Sequence, residues 1–95
     1  MSYNVFLSSK AEKQYSSLDK HIQHKFKSKF SRLKEEPRKS FFLSGKYAGL
    51  RYIKIFHKGV EYRTVYDICD EKKEVLILFL GTRENFYKEI RRHLR

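Results

Sequence analysis

The sequence predicts an α+β domain in which a small, mostly antiparallel four-stranded sheet carries its helices on one side, in the order β-α-α-β-β-β-α. Three observations predict it. Residues 60–68 alternate, with Tyr62, Thr64, Tyr66 and Ile68 facing one way and Glu61, Arg63, Val65 and Asp67 the other, the period of a half-buried strand. Residues 75–80 form an unbroken apolar run rich in branched side chains, too short for a helix and suited to a central strand covered on both faces. Ile22, Phe26, Phe30 and Leu33 recur at the spacing of an amphipathic helix.

Each element can be justified in turn. Residues 3–7 make a short strand. Ser9 and Glu12 have the spacing of a capping box, and Ala11, Tyr15 and Leu18 recur at helical spacing, so a first helix is expected over residues 10–17. Ser16-Ser17-Leu18-Asp19 interrupts it. Asp19 can cap a second helix over residues 20–35, which stops before Pro37 and pairs with the first as an antiparallel hairpin. Its outer face carries His21, His24, Lys25, Lys27, Lys29 and Arg32, a solvated face that could also track phosphates. Residues 38–49 are a loop rich in Lys, Ser and Gly, with Phe41, Phe42 and Leu43 expected to tuck into the core edge. Residues 50–56 form the next strand, in which Leu50, Tyr52, Lys54 and Phe56 share one face and Arg51, Ile53 and Ile55 the other. His57-Lys58-Gly59 turns the chain into residues 60–68, and Asp70-Glu71-Lys72-Lys73 turns it again. Gly81 ends the apolar strand. Thr82 caps a final helix with Glu84 and Asn85 in its first turn, and Phe86, Ile90 and Leu94 form its apolar stripe. Arg91, Arg92, His93 and Arg95 crowd its C-terminal end, where the helix dipole favours cations.

Composition narrows the function classes. Ninety-five residues, 40% hydrophobic with eight Phe and seven Tyr, are expected to form a single domain over residues 1–95, without linker or internal repeat. The lone cysteine, Cys69, allows no intrachain disulfide, which suits a reducing compartment. The longest apolar run falls far short of a membrane span, and the first ten residues lack the basic start and apolar length of a signal peptide, so a cytoplasmic protein without membrane attachment is expected. Twenty-two Lys and Arg against eleven Asp and Glu give a net charge of +11, which points to a polyanionic partner. Abundant tyrosines add stacking faces to phosphate contacts and favour RNA, DNA or a ribonucleoprotein. No metal and no cofactor are expected. His21, His24, His57 and His93 with Cys69 lack zinc-ligand spacing, and neither a G-x-S-x-G elbow nor a Walker phosphate loop is present.

What remains is a cationic set with one tyrosine: Lys54 on one strand, Arg63 on the next, Arg83 at the last helix start and Tyr87 one turn on. RNA can be cut without a metal when its own 2′-hydroxyl attacks the adjacent phosphate. Such a site needs a proton acceptor, cations for the charge developing on the phosphate, a donor for the leaving 5′-oxygen and something to splay the base. Arginine grips two phosphate oxygens with its planar fork, tyrosine stacks on a base, and a lysine among like charges has its pKa pushed down toward that of a base. Arg51, Tyr52 and Lys58 flank this set as candidate substrate contacts.

The element order, the strand EYRTVYDI, the strand LILFLG and the closing GTRENFYKEIRRHL together resemble the RelE/ParE superfamily of type II toxin–antitoxin toxins, over essentially the whole chain. The YR-x-VY strand and the G-x-R-x-x-x-x-Y helix start are the most specific pieces. The resemblance to the RelE branch implies a RelE-like fold and a ribosome-dependent endoribonuclease that cleaves mRNA in the A site and inhibits translation. It also implies an acidic, RelB-like antitoxin that joins the toxin in a hetero-oligomer, the toxin alone being monomeric. Arg63 matches the strand arginine that stabilises the phosphate, and Arg83 the arginine assigned to charge stabilisation or leaving-group protonation. Tyr87 matches the base-stacking tyrosine, and Lys54 lies where the family's proposed lysine base sits. The chain has Tyr52 where such toxins often carry another basic residue, and it ends HLR where a related branch has a His/Tyr pair. Lys54, Glu61 and His57 therefore all stay open as the base. On the same fold, a ParE-like gyrase inhibitor and an inert basic RNA- or ribosome-binding module are the alternatives.

Overall fold

The computed structural model describes residues 2–43 and 49–93, residue 93 through its backbone alone. Among these the elements run β1 (Asn4–Leu7), α1 (Ser9–Ser16), α2 (Lys20–Glu35), β2 (Phe41–Phe42), β3 (Arg51–His57), β4 (Val60–Cys69), β5 (Glu74–Thr82) and α3 (Arg83–His93). The sheet is ordered β1-β5-β4-β3-β2, antiparallel throughout except where β1 pairs in parallel with β5. The α+β class and the mostly antiparallel sheet are as expected, with five strands rather than four. The added strand, β2, lies within the stretch expected as a loop; residues 44–48 of that stretch, and Leu94 and Arg95 of the final helix, lie outside the described residues.

The helices do not share one side of the sheet. The stripe of α2 (Ile22, Phe26, Phe30, Leu33) and Ala11 of α1 pack with Ile53, Ile55, Tyr66, Val75, Ile77 and Leu80. Phe86 and Ile90 of α3 pack instead with Val65 and Phe79, on the opposite face of the same strands. The sheet is therefore sandwiched, and the middle of β4 is buried on both faces: Arg63, Thr64, Val65 and Tyr66 are all inaccessible. This corrects the half-buried reading of that strand and the one-sided reading of the helices. Periodicity reports which residues face a core; it does not report how many cores there are.

A bulge in β5 makes the two-faced arrangement fit. Val65 pairs with Phe79 but Tyr66 with Ile77, so Leu78 is left over. The extra residue resets the alternation, which lets Ile77 and Leu80 face α2 while Phe79 faces α3. Its freed carbonyl is not wasted: Ser8 Oγ donates to Leu78 O at 2.6 Å and accepts from Ala11 N at 3.1 Å, capping α1. The cap is thus Ser8 rather than Ser9, because the parallel β1–β5 pairing delivers Ser8 to the bulge.

Asp19 caps α2 as its sequence implies, accepting from His21 N at 2.8 Å. Asp19→Ala is expected to lower unfolding free energy by about 1 kcal/mol, read as a lower urea midpoint at unchanged slope. At the β3–β4 hairpin, His57 still pairs with Val60, so the turn is Lys58-Gly59 alone. Both have positive φ, 50° and 79°, the two-residue turn whose twist matches flanking strands.

Candidate active site

The site is built on the face of the sheet that α3 covers. Lys54 of β3 and Arg63 of β4 are direct cross-strand partners, so their side chains leave the same face, and Glu61 joins them two residues earlier on β4. Arg63 is also opposite Gly81 of β5, two residues before α3 begins at Arg83. The Thr82 hydroxyl accepts from Asn85 N at 3.3 Å, so it caps α3 as expected, although β5 runs on through Thr82 rather than ending at Gly81. This cap sets the helix phase that turns Phe86 inward, where it is 1% exposed, and leaves the ring of Tyr87 41% exposed above Arg63.

Arg63 is the centre of the arrangement. Its guanidinium donates through Nε to Glu61 and through one terminal nitrogen to the Tyr87 hydroxyl at 2.9 Å. Three rings surround it, with Cζ at 4.9 Å from the centroid of Tyr52, 5.4 Å from Tyr87 and 5.6 Å from Phe86. Burial pulls its pKa down more than any other single influence, yet the bonds to Glu61 and Tyr87 outweigh it and the value lies above that of an ordinary arginine. A guanidinium carries five N–H donors, so these two bonds do not exhaust the fork.

Glu61 is held ionised. The hydrogen bond from Arg63 lowers its pKa below the usual glutamate value; burial opposes this, and the charges of Arg63, Lys54 and Arg83 lower it further. Of these cations, Arg63 is the one in an ion pair with the carboxylate. Because the folded value lies below the unfolded one, Glu61 contributes stability above the unfolded pKa and loses it as pH falls through the folded pKa. The stability gap between wild type and Glu61→Gln is therefore expected to be largest above about pH 5 and to shrink on acidification below about pH 4, measured by urea unfolding across that range.

The remaining candidates separate. Tyr52 sits beneath Arg63 with its ring 5.2 Å from Phe41 and 5.5 Å from Phe86, so it is the floor of the site. Arg51 belongs to the other face, donating to Arg38 O at 2.8 Å with Cζ 3.9 Å from the Phe42 ring. Lys58 is exposed in the hairpin turn, away from Arg63 along the ladder. His57 stacks on His21 of α2, ring centroids 6.0 Å apart. Phe41 and Phe42 do not tuck into the core: they are 47% and 62% exposed on β2, because this edge strand pairs with β3 beyond the reach of either helix layer. Sequence reasoning placed Phe86 only in an apolar stripe; its role as the ring behind Arg63 follows from the helix phase set at Thr82.

A family profile described as the ParE-like toxin of type II bacterial toxin-antitoxin systems matches residues 5–91. The chain belongs to this family of ParE-like toxins. The toxin's structure is similar to that of a double arginine-to-alanine mutant of E. coli toxin RelE in the free state, with a TM-score of 0.78 and 26% identity over 99% of this chain and 100% of that one. It is also similar to a chain of the intact E. coli RelBE toxin-antitoxin complex, at 0.74 and 29% over 83% of this toxin and 94% of that chain. A chain of the toxin-antitoxin complex RelBE2 from Mycobacterium tuberculosis matches at 0.73 and 27%, over 87% of this toxin and 100% of that chain. Comparison with curated protein sequences finds no match. Among the described residues of the toxin, no helix is long and apolar enough to cross a membrane.

Proposed function

We propose that this ParE-like toxin is a ribosome-dependent endoribonuclease that cleaves mRNA in the A site, using the RNA's own 2′-hydroxyl as nucleophile and no metal. The observation that supports the reading is Arg63, bonded to Glu61 and to the exposed Tyr87 and paired across the strands with Lys54. In the step, the 2′-oxygen forms a bond to phosphorus as the bond to the 5′-oxygen breaks, giving a 2′,3′-cyclic phosphate and a 5′-hydroxyl. Arg63 holds the phosphate oxygens with its fork, fixed in place by Glu61 and Tyr87. The ionised Glu61, or Lys54 in its neutral form, receives the 2′-hydroxyl proton. Arg83, at the helix start, stabilises the charge on the leaving 5′-oxygen, which takes a proton from solvent to become the 5′-hydroxyl, and Tyr87 stacks on the base. The same reading makes an acidic RelB-like antitoxin the partner that masks this cationic surface in the cytoplasm, with affinity that falls as salt rises.

A second reading follows from the match to the ParE-like profile: a non-enzymatic inhibitor that binds gyrase on the same fold. Inducible expression with primer-extension mapping of a translated transcript separates the two. In-frame cuts that vanish in Arg83→Ala, and when translation initiation is blocked, are the expected result. Growth arrest with intact transcripts and inhibited gyrase would overturn the nuclease in favour of the second reading.

A further inference from the structure

Phe41 occupies a position that the core does not explain. It is half of a two-residue edge strand, and leaving such a ring exposed forgoes part of the roughly 1.5–3 kcal/mol that full burial of a Phe side chain provides. Edge strands ordinarily carry charged residues that discourage pairing with other chains, yet both residues of β2 are phenylalanine. The ring is nonetheless held in place. It lies on Tyr52 with an interplanar angle of 23° and centroids 5.2 Å apart, and Tyr52 in turn leans on the buried ring of Phe86. Lys54 Nζ is 4.7 Å from the Phe41 centroid.

These contacts continue the candidate active site without a break. From Tyr87 the path runs to Arg63 at 5.4 Å, to Tyr52 at 4.9 Å, to Phe41 at 5.2 Å and to Lys54 at 4.7 Å, rings alternating with cations except at the Tyr52–Phe41 stack. Alternating ring faces and positive charges are what a single-stranded nucleic acid uses, bases on the rings and phosphates on the cations. An apolar peptide would bury Lys54 without a counter-charge, which is costly. The one carboxylate among these groups, Glu61, is already engaged by Arg63.

We propose that Phe41, with Lys54 beside it, is a second base-stacking subsite that holds another nucleotide of the RNA strand whose scissile phosphate lies at Arg63. This rests on the nuclease reading for the identity of the strand, but its test does not depend on cleavage. The full-length toxin is titrated into short single-stranded oligonucleotides, 2′-deoxy to prevent cutting, with 2-aminopurine placed at each position in turn. Stacking quenches that fluorophore. Wild type should quench it at two separate positions, one lost in Tyr87→Ala and the other in Phe41→Ala, the latter with about 5- to 100-fold weaker binding. Phe41→Trp should restore the second position and Phe41→Leu should not. Quenching retained at the Tyr87 position shows that the Phe41 variants are folded. Quenching at one position only, a profile unchanged by Phe41→Ala, restoration by leucine, or Phe41-dependent binding of an acidic peptide in place of RNA would each overturn the proposal. Cleavage with a single stacking position would refute the subsite alone. Two stacking positions without cleavage of any ribosome-bound transcript would refute the nuclease alone.

Discussion

Arg63→Ala is expected to slow transcript cleavage by about 10²- to 10³-fold, the loss seen when one preorganised donor to a developing oxyanion is removed. The size of the effect follows from what surrounds the side chain. Arg63 is 7% exposed, bonded to Glu61 and Tyr87 and ringed by three aromatic side chains, so its fork is aimed before substrate arrives and the interaction is weakly screened. Arg63→Lys separates charge from shape. It keeps a cation but loses the planar fork that joins Glu61, Tyr87 and a phosphate at once, and it is expected to recover only a minor part of the activity. A gel assay of a ribosome-bound transcript measures both, with circular dichroism reporting that each variant is folded. Cleavage by Arg63→Ala within tenfold of wild type would remove this residue from the chemistry.

Phe86→Ala is expected to lower unfolding free energy by about 3–5 kcal/mol, a large fraction of what holds a small domain together. Phe86 is fully enclosed, touching Phe79 and Tyr52 as well as Tyr87, and together with Tyr87 it sets α3 against the guanidinium of Arg63. Phe86→Leu keeps more of the packing and is expected to cost about 1–2 kcal/mol. Urea unfolding distinguishes the pair. Activity should fall further than the folded fraction explains in Phe86→Ala, because Tyr87 and Arg63 lose the ring that fixes them.

The elements with a sustained period were readable from residues alone. The α2 stripe repeats often enough to specify both type and buried face, and the alternations in β3 and β4 and the apolar run in β5 specify the type, although β4 is buried on both faces in its middle. What failed to show has a physical reason in each case. A two-residue strand such as β2 has no period, and its Phe41-Phe42 pair reads as core because apolarity predicts burial without knowing that the strand sits at an edge. The side on which α3 packs depends on the β4–β5 ladder and on the bulge at Leu78, a pairing that no single strand's sequence contains. At the candidate site, Lys54, Arg63, Arg83 and Tyr87 were legible in the sequence as a cationic set with one tyrosine. The bonds that lock Arg63 to Glu61 and Tyr87 were not, since they join residues through the register of three strands and a helix cap.

The decisive measurement is cleavage of a defined transcript held in the ribosome by the purified toxin, comparing all-ribose RNA with RNA carrying a single 2′-deoxy sugar immediately 5′ of the cut. The expected result is a cut in the first that leaves a 2′,3′-cyclic phosphate and a 5′-hydroxyl, and no cut at that position in the second. Equal cleavage of both would rule out attack by the 2′-oxygen, and two intact transcripts beside an arrested gyrase would show that the cluster around Arg63 serves inhibition by binding instead.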